Sequence, residues 1–281
     1  MTNKSRVALI QFPGSNCEQE TKRAAEAAGL AVDIFRWNRD AALLAGYAGY
    51  IIGGGFSYQD RVRAGAIATK EPIVRTVVEE ALRGKPCLGI CNGAQVLVES
   101  GLIPGITPGE VEMALAPNRV DAPGRISHYS CQWTYLKHTA RPGRCGITSE
   151  FQEGEVWPAP IAHGEGRYAT QKADLLERLI ANDQIVLRYC DADGAVEDTP
   201  ATNPNGSMDN IAGICNPDGN VLAMMPHPER ASWVRQMPYE LGGPWAAARQ
   251  KARGDFEAVN APGPGRKLFA SFRRVCEFAA G

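Results

Sequence analysis

Two sequence patterns alternate through the first hundred residues, and that alternation restricts the fold more than any other feature. Residues 6–11, 31–36, 50–52 and 86–90 are short apolar runs next to turn residues, which reads as a set of buried strands. Between them, residues 18–28, 72–83 and 92–100 have helical composition. Gly29, Gly84 and Gly101 follow these stretches, where a helix end favours glycine. Pro72 opens the second stretch, where its missing N–H leaves no helical bond unmade. Parallel strands joined by helices need right-handed crossovers. The expected class is therefore α/β: a doubly wound, mostly parallel sheet with helices on both faces.

The remainder of the chain is less regular. Residues 103–170 carry many Gly and Pro residues and short extended pieces such as 127–136. A helix is expected over 173–182, strands over 185–189, 211–215 and 221–225, and a last helix over 267–279. Residues 242–265, rich in Gly, Ala and Pro, read as an insertion or mobile loop. No internal repeat is present.

A length of 281 residues suits one large domain or two small ones. The formal net charge of −1 gives no electrostatic case for nucleic acid or an acidic membrane surface. No run reaches the roughly 18 apolar residues of a membrane helix. The segment after 7–10 does not resemble a signal-peptide cleavage site, so the expected location is cytoplasmic. Eight cysteines are scattered singly with no C-x-x-C pair, which argues against a disulfide scaffold or structural zinc; no metal is expected.

Chemistry concentrates at Gly89-Ile90-Cys91-Asn92-Gly93. An apolar strand runs directly into a helix, and Cys91 sits at the bend, as a nucleophile on an elbow does. The helix N-terminus beside the sulfur favours thiolate, and the Asn92 amide can face a developing oxyanion. The competing reading is a buried thiol at a strand end, which fits Cys87 inside the strand better. The base comes from elsewhere: His227, in Pro226-His227-Pro228-Glu229, follows an expected strand with its backbone held by two prolines. If that segment is extended, Glu229 points the same way and can orient the imidazole.

Gly53-Gly54-Gly55 ends the third strand. With no following Gly-Lys-Ser/Thr it is not a nucleotide P-loop; it is either a second oxyanion donor or a plain tight turn. The stretch 161–168 sets His163, Glu165 and Arg167 between glycines, which fits a loop around a polar ligand as well as a charged surface turn.

Together these residues resemble the class I, triad-type glutamine amidotransferases, a flavodoxin-like fold family. The nearer resemblance is to the glutaminase subunits of phosphoribosylformylglycinamidine synthases in purine biosynthesis. It rests on Pro13-Gly14-Ser15-Asn16-Cys17, Gly54-Gly55-Phe56-Ser57-Tyr58, Arg63-Ala64-Gly65-Ala66, Gly89 to Gln95, Ala162-His163-Gly164-Glu165-Gly166 and Met224 to Arg230. The resemblance covers most of the chain, as one glutamine amidotransferase domain over 1–281 with insertions at 117–145 and 231–264. It implies Cys91 as nucleophile, His227 as base, Glu229 as orienting acid and Gly55 and Asn92 as backbone oxyanion donors. Gln95 falls on the glutamine pocket, and His163 and Glu165 become pocket or interface residues.

Three positions depart from the family pattern. Gly53 stands where proline is usual, Gln59 where glycine is, and Ala94 where an aromatic is common. The resemblance implies glutamine as substrate, with glutamate and ammonia as products. It implies a large synthetase partner that holds ATP and magnesium and aminates formylglycinamide ribonucleotide, and it admits a small bridging subunit. It implies no cofactor in this chain. The alternatives are a glutaminase subunit for another ammonia acceptor, a hydrolase or chaperone sharing the cysteine elbow, and a catalytically silent module on the same fold.

Overall fold

The structure, a computed structural model, describes residues 4–119 and 128–279. Residues 120–127, part of the expected insertion at 117–145 and the start of the extended piece at 127–136, lie outside the described residues.

The expected alternation is present. β1 (Arg6–Gln11), α1 (Glu18–Ala27), β2 (Ala31–Arg36), β3 (Gly49–Ile52), α2 (Pro72–Leu82), β4 (Cys87–Ile90) and α3 (Asn92–Glu99) follow in order. Further along come β5 (Ala114–Ala116), β6 (Ser130–His138), β7 (Val156–His163), β8 (Arg167–Ala169), α4 (Leu175–Ala181) and β9 (Ile185–Cys190). The chain closes with β10 (Ile211–Cys215), β11 (Val221–Met224), α5 (Gly243–Lys251), α6 (Phe256–Val259) and α7 (Arg266–Ala279).

Nine strands form one sheet in the order β2-β1-β3-β4-β11-β10-β9-β6-β7. The first five are parallel neighbours. From β11 onward the neighbours are antiparallel, so the parallel half is extended by an antiparallel half. The chain steps from β1 outward to β2, then back past β1 to β3 and β4. Right-handed crossovers then put α1 and α2 on opposite faces, and the strand order reverses between β1 and β3. In such sheets ligands bind beyond the carboxyl ends of the parallel strands. β3 and β4 are buried throughout, as befits central strands covered on both faces.

Two elements differ from expectation. β7 contains Pro158 and Pro160 and was not anticipated as a strand. It lies at the sheet edge, paired only with β6, where a missing N–H breaks no ladder. Residues 242–265 are not a featureless loop. Pro244 sits in the first turn of α5 and an Ala-rich run continues it. Asp255 caps α6 by accepting from the amides of Glu257 and Ala258. Among the described residues, no helix is long and apolar enough to cross a membrane.

Candidate active site

The carboxyl ends of β3, β4 and β11 converge. Cys91 follows β4 directly and precedes the first residue of α3. Its backbone is left-handed, φ 52° and ψ −108°, the strained turn expected of an elbow. Its amide donates to the Met224 carbonyl at 2.8 Å, tying the elbow to β11. Its Sγ lies 3.7 Å from the Ala162 carbonyl of β7. Gly93 lets α3 approach so closely: a Cβ there would lie 1.9 Å from the Ile52 carbonyl oxygen. Asn92 opens α3, so the helix offers no acceptor to its amide. Its side chain accepts from the Ser57 amide at 3.1 Å and donates to Gln95 Oε1 at 2.9 Å.

His227 stands three residues past β11, and its amide donates to the Pro160 carbonyl at 2.8 Å. The edge strand thus offers a carbonyl that anchors the His227 backbone. The segment after His227 is not extended: Pro228–Ala231 forms a 3-10 turn opened by Pro228. The turn still folds Glu229 back onto the ring, with Nδ1 and Oε1 at 2.5 Å and both side chains buried. Burial on its own would lower the imidazole pKa. The charge of Glu229, with Cys91 and Cys17, overrides it and holds the group well above its ordinary value.

Gly55 adopts φ 146° and bridges to Ser15. Gly55, Cys91, Gln95, His163 and Glu165 all line one cavity of about 130 Å³. Gln95 Nε2 donates to the Glu165 carbonyl at 2.6 Å, fixing the 163–166 loop against α3. His163 is buried, with Nδ1 3.2 Å from Asn118 Oδ1. Burial, and then the nearby His227, push its pKa down to about 3, so it is neutral at physiological pH. The structure therefore brings Cys91, His227, Glu229, Gly55, Asn92, Gln95, His163 and Glu165 to one end of the sheet. Cys87 is a core thiol, pushed up to about 12 by burial.

Two residues that sequence reasoning did not single out are also here. Asp60 lines the same cavity from the loop after β3. Cys17 lies behind the imidazole: its Sγ, a His227 ring nitrogen and a Glu229 carboxylate oxygen are within 4.8 Å of one another. Among the described residues this is the one such cluster able to ligate a metal. Arg230 Nη2, 3.1 Å from Cys17 Sγ, sets a positive charge against a cation there. The motif Pro-Gly-Ser-Asn-Cys was the available signal for Cys17, while Asp60 carried none beyond its place after Gly53-Gly54-Gly55. Of the departures, Gln59 takes φ 61°, the conformation that glycine would supply.

Residues 4–272 match the CobB/CobQ-like glutamine amidotransferase domain. The chain is 48% identical to the phosphoribosylformylglycinamidine synthase subunit PurQ of Methanothrix thermoacetophila, over 97% of this chain and 98% of that protein. The chain belongs to the PurQ family of glutamine amidotransferases. The PurQ subunit of Moorella thermoacetica is 47% identical over 81% of this chain and 88% of its own length. Among solved structures, that of PurLQS from Thermotoga maritima is similar with a TM-score of 0.67 and 32% identity, covering 96% of this chain and 98% of the matched chain. The PurQ fold is thus a glutamine amidotransferase fold, and the doubly wound sheet expected from the alternating segments is the frame that carries it.

Proposed function

We propose that this chain is the ammonia-releasing subunit of a phosphoribosylformylglycinamidine synthase and that Cys91, His227 and Glu229 carry out the release. The observation that carries this reading is an elbow cysteine that lines a cavity and interacts with a buried, carboxylate-bound imidazole, in a chain of the PurQ family.

In this mechanism Cys91 Sγ attacks the side-chain carboxamide of glutamine. The oxyanion is met by the amides of Asn92 and Gly55, each worth about 3 kcal/mol in comparable sites. His227, kept protonated by Glu229, gives its proton to the leaving ammonia. Water then attacks the glutamyl thioester while His227 takes its proton, and glutamate leaves. Gln95, His163 and Glu165 shape the pocket. ATP and magnesium act in a large synthetase subunit, which aminates formylglycinamide ribonucleotide. A small subunit bridges the two. Free ammonia would be protonated in water, so the product passes inside the complex, and the isolated chain is a weak glutaminase.

The test measures glutamate release from glutamine by the wild type and Cys91→Ala, each alone and with the synthetase. The wild type is expected to be active at least with its partner, and the variant inactive in both settings. An inactive wild type in both settings, or a variant that matches an active wild type, would contradict the proposal.

A further inference from the structure

Cys17 is a buried thiol that the chemistry at Cys91 leaves unused. It directly precedes α1, and its amide donates to the Gly54 carbonyl at 3.3 Å. Its own carbonyl accepts from the Thr21 amide at 3.0 Å, so the residue is tied at once to the start of α1 and to the Gly53-Gly54-Gly55 turn. Its Sγ, a His227 ring nitrogen and a Glu229 carboxylate oxygen lie within 4.8 Å of one another. Gly54 presses on the same group: a Cβ there would lie 2.8 Å from His227 Cε1 and 2.9 Å from Cys17 Sγ. Cys17 is not among the described residues that line the cavity at Cys91, so its sulfur meets the imidazole from behind rather than from the substrate side.

The bonds of the sulfur restrict what it can do there. Cys17 Sγ donates to Asn16 Oδ1 at 3.2 Å and accepts from Arg230 Nη2 at 3.1 Å. Arg230 Nε donates in turn to Glu20 Oε1 at 2.8 Å. A thiol whose hydrogen is committed to Asn16 offers only lone pairs to its other neighbours. It therefore does not compete with His227 Nδ1 as a donor to Glu229, and it favours the protonated ring. Burial pushes the Cys17 thiol above its ordinary value and the contact with His227 only partly opposes that, so the group stays a neutral thiol. The other titratable groups around the ring are Glu229 and, through Cys17, Arg230 from its own turn, Cys91 at the elbow, the neutral His163 of β7 and Tyr129 just before β6. The bond to Glu229 fixes one ring nitrogen but leaves the ring free to tilt about that bond. Cys17 and Gly54 remove this freedom.

We propose that Cys17 is a positioning residue for glutamine hydrolysis: its sulfur confines the His227 ring against Gly54 and keeps the nitrogen not bound to Glu229 on Cys91. The inference rests on the glutaminase reading above. Cys17 acts through His227 and touches no reacting atom.

The experiment assays glutamate release across pH by wild type, Cys17→Ala and Cys17→Ser, each assembled with the synthetase. Cys17→Ala leaves a gap behind the ring, and misplacing a catalytic group by about 1 Å costs on the order of 100-fold in rate. Its kcat is expected to fall about 10- to 100-fold with KM for glutamine unchanged. The alkaline limb of kcat/KM should move to lower pH, because a contact that helps hold the His227 proton is gone. Cys17→Ser restores an acceptor on a shorter bond and should show both changes at smaller size. If Cys17→Ala does not assemble, Cys17→Ser carries the same comparison. A wild-type kcat in Cys17→Ala, a change confined to KM, or a loss that tracks the unfolded fraction with the limb unmoved overturns the positioning role. A wild type that releases no glutamate overturns the glutaminase reading instead, so the two failures are distinct.

Discussion

Gly93→Ala tests whether the elbow is held by close backbone contact. The new Cβ would stand 1.9 Å from the Ile52 carbonyl oxygen, whereas ordinary contact begins at 3.4 Å. The start of α3 would have to withdraw from β3 by about 1.5 Å, and Cys91, two residues earlier, would move with it. Overpacking of this kind costs about 1–3 kcal/mol, which for a chain of this size lowers Tm by roughly 2–10 °C. Displacing a reacting atom by about 1 Å costs on the order of 100-fold in rate. Kinetics should therefore suffer far more than folding. Glutamate release at saturating glutamine, in the complex, is expected to fall about 100-fold or more while thermal unfolding shifts by a few degrees. A variant with wild-type kcat, or one whose lost activity tracks the unfolded fraction, would refute the reasoning.

Glu229→Gln removes the charge that holds the His227 proton, so the imidazole deprotonates at lower pH. The alkaline limb of kcat/KM should move to lower pH and the maximum rate fall by about 10²–10⁴-fold; an unmoved limb would contradict the pairing. Gln59→Gly removes a side chain from a left-handed position, φ 61°. Calorimetry should show a gain of about 1 kcal/mol, because relief of backbone strain exceeds the added chain entropy of glycine.

Four of the five parallel strands, β1 to β4, were readable from residues 6–100 because strands and helices there have distinct periods and clear glycine stops. Cys91 was readable for the same reason, since a strand that meets a helix with no loop residues leaves its junction exposed at the strand end. The reach from His227 to Glu229 was anticipated as an extended segment, but it is made by a 3-10 turn that Pro228 starts. β7 escaped notice because Pro158 and Pro160 argue against a strand; they are tolerated only because it lies at the edge, and edge position is not a local property. α5 and α6 were hidden by Gly, Ala and Pro composition, although Pro244 and Asp255 were sound helix-start signals. Asp60 and Cys17 stand near Glu165 and His227, more than a hundred positions away, and spacing along the chain does not record such proximity.

Covalent capture of the attacking sulfur tests the central claim most directly. A glutamine analogue with a diazoketone in place of its carboxamide, incubated with the complex, is to be followed by peptide mass spectrometry. The account predicts one adduct per chain, on the peptide bearing Cys91, with Cys17 and Cys87 unmodified and glutaminase activity lost in step. An adduct on another residue, or full loss of activity with Cys91 unmodified, would contradict it.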